Sequence, residues 1–137
     1  MNAKQLTVGI IVGTLVSMIV GYVIWDVLVA DFFGSNMGSA TGVMRDTQLL
    51  WAVIIGTASY TAFIALALGA QPGELTIAGG LKVGAIVGFF VWFSVDFILL
   101  GAMNVNTLTI AIVDPLLEAI RAGITGAAIA AVAAKLR

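Results

Sequence analysis

Two stretches without a charged residue govern what this chain can fold into. No charge occurs between Lys4 and Asp26, and none between Asp46 and Glu74. The hydrocarbon core of a bilayer is about 30 Å thick and is crossed by about 20 apolar residues of helix at 1.5 Å each. Either stretch is long enough. Two more follow: one starts beside Lys82 and is interrupted by Asp96, and the last holds Glu118 and Arg121 in its first two turns. The expected spans are 6–30, 48–70, 81–103 and 115–136, and the expected architecture is an all-α integral-membrane four-helix bundle forming one domain over 1–137. The first span exceeds the roughly 7–15 apolar residues of a signal peptide, and Leu28 stands where cleavage needs a small residue, so it reads as a retained helix.

Composition narrows the chemistry. Six Lys/Arg and seven Asp/Glu make 9% charged residues beside 61% hydrophobic ones, against about 25% charged in an ordinary soluble domain. With no Cys and no His, sites built on thiolate or imidazole are excluded: zinc, haem, iron–sulfur, Ser–His and Cys–His centres. No cofactor is expected, and a bound metal would need oxygen ligands, as Ca²⁺, Mg²⁺ or Mn²⁺ accept. A net charge of −1 provides no basic footprint for nucleic acid. The lipid bilayer is the expected surrounding. Lys4, Lys82, Lys135 and Arg137 fall on one side of a four-span topology and Arg45 on the other. That bias places both termini in the cytoplasm, with a bacterial inner membrane as the expected location.

Small residues recur every four positions on three of the spans: Gly9, Gly13, Ser17 and Gly21; Gly80, Gly84 and Gly88; Ala122, Gly126, Ala130 and Ala134. Such rows let helix backbones approach closely in lipid, where van der Waals contact replaces the hydrophobic drive. Three rows imply a tight bundle with a seam to spare for a homo-oligomer or a larger membrane complex. A shift of 67 residues also brings Gly13, Val16, Ile19, Val20, Gly21 and Trp25 onto Gly80, Val83, Ile86, Val87, Gly88 and Trp92. If this match reflects duplication, the bundle consists of two helical hairpins repeated in parallel.

The polar residues segregate. Asp26, Asp31, Arg45, Asp46, Asp96, Asp114, Glu118 and Arg121 all belong to the half opposite the termini. Asp96 continues the glycine row of the third span, about 22 Å along it and about 10 Å from its end, which points it into the bundle. A carboxylate at such depth calls for a partner or a wet cavity. One reading is structural, with Thr57, Ser59, Tyr60 or Thr61 of the second span as the partner; the other is functional, with Asp96 as the deep acceptor of a proton or ligand. Asp114-Pro115 reads best as the N-cap and first residue of the fourth helix, leaving 108–113 interfacial or re-entrant. The alternative is a helix continuing back to Thr107 and kinked at Pro115. Asp114, Glu118 and Arg121 share one helix face, either as an ion network near the headgroups or as the charged wall of a vestibule. Trp25 and Trp51 read as interfacial belt anchors; Phe89, Phe90, Trp92, Phe93 and Phe97 read as packing or lipid contacts.

From Gly84 onward the chain resembles a family of small four-span bacterial membrane proteins of unknown function. That family has two glycines four apart, then aromatics and an Asp on its third helix, with a second Asp opening its last. Gly84, Gly88, Trp92, Asp96 and Asp114 match this pattern, whereas Val95 stands for an aromatic and Leu99 for an Asn. The resemblance implies a four-span outline and a pairing of Asp96 with Asp114, and it implies no activity.

Three functions fit these features. The first is an acidic outer-leaflet cavity handling a proton, a cation or a small polar ligand, with Asp96 deepest, Asp26, Asp114 and Glu118 at the entrance and Arg121 setting the charge. The second is a non-catalytic accessory or scaffold subunit. The third, an enzyme acting on lipids through paired carboxylates, needs two acids of separated acidity, which nothing in the sequence supplies.

Overall fold

The computed structural model describes residues 1–136; Arg137, used above for orientation, lies outside the described residues. Among the described residues all the regular structure is helical: α1 (Ala3–Gly21), continued by a π-helical segment (Tyr22–Leu28), α2 (Ala30–Asn36), α3 (Leu50–Gly69), α4 (Ile77–Ala102) and α5 (Leu108–Lys135). Four of these units, with α1 and its π-helical continuation counted as one, are long and apolar enough to cross a membrane. This is the four-helix all-α bundle expected, and the ends differ from expectation by a few residues for three spans.

The fourth span is a correction. Its helix starts at Leu108, not at Pro115, with Pro115 inside it. Thr107 is the N-cap, its hydroxyl accepting from the Ile110 N–H at 3.4 Å while donating to the Asn36 carbonyl at 2.7 Å. That cap lies upstream of the Asp–Pro pair, so Asp114 is carried on the helix face instead of ending it. Pro115 removes one backbone donor within the helix. Its ring is fully buried. The first span is also less regular than its composition suggests: the Val29 N–H bonds to the Ile24 carbonyl five residues back, the wide turn of a π-helix.

The bundle is tightest around α4 and α5, whose contact is the most extensive in the molecule. A Cβ on Gly80 would strike the Gly126 carbonyl, and one on Gly84 would strike the carbonyl of Ala122. Gly126 meets the Gly80 carbonyl in return, and Gly88 lies against Ala122 and the Glu118 carbonyl. On α1, Gly13 faces Thr61 and Ile129, Gly9 faces Ile129, and Gly21 faces the Arg121 side chain. Ser17 is buried. Gly13, superposed on Gly80 by the 67-residue shift, meets both α3 and α5, whereas Gly80 meets α5 alone. The core proper consists of Ile64, Ala65, Leu68, Ala122 and Ile129.

The start of α1 and the end of α5 share one end of the bundle, where Gln5 Nε2 donates to the Ala133 carbonyl at 2.9 Å. At the opposite end, the segment after α2 pairs with the α4–α5 connection. Gly38 N–H reaches the Val105 carbonyl at 3.2 Å and Ala40 N–H the Asn104 carbonyl at 2.9 Å. The buried residues of α3 are Thr61, Ile64, Ala65 and Leu68, all in its second half. Its first half supplies no core, and the helices part there.

Candidate functional site

A cavity of about 1070 Å³ occupies this parted end. Its floor gathers residues from three of the long helices: Ser17 and Trp25 from α1 and its π-helical continuation, Trp92 and Asp96 from α4, and Asp114, Glu118 and Arg121 from α5. Helical spacing explains the α5 trio, since offsets of four and seven place residues on one face. The row Gly80–Gly84–Gly88–Trp92–Asp96 explains α4: the glycines press its face onto α5, and the same face carries Asp96 inward at 5% exposure. Other lining residues come from α2, the segment before α3 and the first half of α3.

Each acid meets a different surrounding. Glu118, 3% exposed, is held by both guanidinium edges of Arg121: Nη2–Oε1 is 2.8 Å and Nε–Oε2 is 3.0 Å. This two-point pair has the geometry that makes Arg–carboxylate bonds strong. The guanidinium also stands 5.2 Å from the Trp25 ring centroid and 5.4 Å from that of Tyr60. Asp114 Oδ1 accepts a 2.7 Å hydrogen bond from Trp25 Nε1. Its carboxyl adjoins that of Asp96. Asp96 Oδ2 is buried and has no hydrogen-bond partner. The Asn106 amide donates to the Asp96 backbone carbonyl at 3.1 Å, while Asn106 Oδ1 is itself buried and unpartnered. Ser17 Oγ, Tyr60 Oη and Trp92 Nε1 are buried without partners too. Asp26 is exposed at the rim of the same cavity.

All five candidate residues, Asp26, Asp96, Asp114, Glu118 and Arg121, therefore line one cavity, with Asp26 peripheral. Several details depart from the sequence reading. Asp96 has Asp114 and Asn106 as neighbours, not a hydroxyl of α3; Thr61 donates instead to its own helix, to the Thr57 carbonyl at 2.7 Å. Trp25 is no belt anchor: its N–H and its ring face are both spent inside the site. Trp51, by contrast, is 65% exposed. Trp92 turns its indole nitrogen toward the interior, whereas Phe90, Phe93 and Phe97 look outward. Asn106 was missed. Its signal was the polar trio Asn104, Asn106 and Thr107, which lies between Asp96 and Asp114 in the sequence.

The acids are strung along the floor, and among the described residues no three of them converge as a metal-ion set. No family model, curated protein or solved structure matches the chain.

Proposed function

We propose that this is a small polytopic membrane protein whose acid-floored cavity binds a ligand carrying a positive, hydrogen-bond-donating group. The observation that carries this reading is Asp96 Oδ2, buried and without a donor, in a residue that lines the cavity. The charge count supports it. Arg121 is committed to Glu118 through both carboxylate oxygens, and Trp25 satisfies one oxygen of Asp114. Asp96 and Asp114 meet each other, and Asp96 Oδ2 is left without a donor. A buried charge without a partner costs several kcal/mol, and a cationic donor entering from the cavity offsets that cost. An array spread along a floor suits directional N–H donors better than a bare divalent ion, which takes six or more oxygens about one point. The resemblance of residues 84–114 to a four-span family with two acids at these positions is in keeping with Asp96 and Asp114 working together.

The test uses the full chain in nanodiscs of phosphatidylcholine, titrated with n-butylammonium, and reads tryptophan fluorescence, to which Trp25 and Trp92 at the cavity contribute. Wild type is expected to give a saturable change. Asp96→Asn is expected to weaken it by about tenfold or more, as loss of a charged hydrogen bond does. A response unaffected by Asp96→Asn, or none in the wild type, contradicts the reading.

A further inference from the structure

The cavity is much larger than an ammonium group requires, and most of it is not acidic. Above the floor its walls are Met37, Val43, Met44, Val53, Leu99 and Met103. Unbranched thioethers adapt their shape to an apolar guest. The α3 wall is thin: Leu50 is 58% and Val53 41% exposed while lining the cavity, and no residue of that half of α3 is buried. In a chain that spans a bilayer, this side of the cavity opens toward acyl chains instead of water. At the floor, the unpartnered acceptors include Asp96 Oδ2 and Asn106 Oδ1, in residues 5% and 8% exposed, with Ser17 Oγ and the Trp92 N–H unpartnered beside them.

Resting on the function proposed above, we infer that the ligand is an amphiphilic primary amine. Its ammonium head sits on Asp96, Asn106 and Asp114, and a single apolar tail runs past the methionines and out along the first half of α3. A primary ammonium has three N–H donors to share among those acceptors. A quaternary ammonium has the charge but no N–H, and an alcohol has one donor and no charge. The inferred order of preference is therefore primary amine, then quaternary ammonium or alcohol of equal length. Tail length adds affinity because each methylene withdrawn from water contributes about fourfold.

The experiment compares n-butylamine, n-octylamine, n-octanol and octyltrimethylammonium on the full chain in phosphatidylcholine nanodiscs. Affinities are referred to free aqueous concentration, and empty nanodiscs are subtracted. Octylamine is expected to bind at least tenfold tighter than butylamine and at least tenfold tighter than the other two octyl compounds. Val53→Trp, which fills the tail path, is expected to abolish the gain of octylamine over butylamine, and a wild-type helical circular-dichroism spectrum shows that the variant folds. Equal affinity for butylamine and octylamine overturns the inference and leaves the cationic site standing. Equal affinity for octylamine and octyltrimethylammonium overturns the assignment of the head. If octylamine and octanol bind alike and Asp96→Asn changes neither, the site is merely greasy, and both the inference and the function beneath it fail.

Discussion

Trp25 shows how much one side chain settles at this site. Its N–H satisfies Asp114 Oδ1 at 2.7 Å, and its ring faces the Arg121 guanidinium that holds Glu118. Trp25→Phe keeps an aromatic face and removes the donor. Leaving a buried acceptor unmet costs about 1–3 kcal/mol, so the variant is expected to unfold at a lower temperature when followed by circular dichroism. Trp51→Phe, at a position 65% exposed, is the control and is expected to change little; equal midpoints for the two variants would contradict the role given to the indole N–H. At this scale the sequence was readable in part. Four-residue spacing announces that Asp96 faces inward and that Asp114, Glu118 and Arg121 share a face. Spacing within a helix says nothing about what stands across from it. The partnership of Trp25 with Asp114, separated by 89 residues, and the place of Asn106 beside Asp96 were therefore out of reach.

At the scale of the elements, the α4–α5 seam holds the acids in place. Gly84 has room for hydrogen only, because a Cβ would meet the Ala122 carbonyl, whereas Gly56 on α3 has nothing within 4 Å of an added Cβ. Gly84→Ala is expected to destabilise, by about 1–3 kcal/mol for overpacking. Gly56→Ala is expected to be neutral or to stabilise by up to about 1 kcal/mol through helix propensity. Thermal midpoints in one detergent compare them, and the same sign for both would overturn the account of the seam. The four spans were legible because apolar length is a coarse and robust signal. Their irregularities were not. Asp114-Pro115 has the chemistry of a helix start, yet Thr107 caps the helix seven residues earlier, since its hydroxyl also ties down the Asn36 carbonyl. Nothing in Tyr22–Leu28 distinguishes a π-helical run from an α-helical one, although that run carries Trp25.

The molecule as a whole is asymmetric along its axis. Packed glycines and core residues lie toward the end where α1 starts and α5 stops, and the cavity with its acids lies toward the other. The crowding of acidic residues into one half was legible from the order of charges along the spans. The cavity itself was not, because it arises where the first half of α3 stands away from its neighbours, a matter of tilt that composition does not encode. The proposed function requires residue 96 to look into an open, negatively charged cavity rather than into lipid or a sealed core. Since the chain has no cysteine, Asp96→Cys introduces a single thiol, and its rates of reaction with a cationic and an anionic methanethiosulfonate of similar size test that claim directly. With Asp114 and Asp26 still lining the cavity, the thiol is expected to react, and about tenfold faster with the cationic reagent, whereas Phe90→Cys on the outer face shows no such preference. A thiol at 96 that stays unreacted, or that reacts equally with both reagents, would contradict the account.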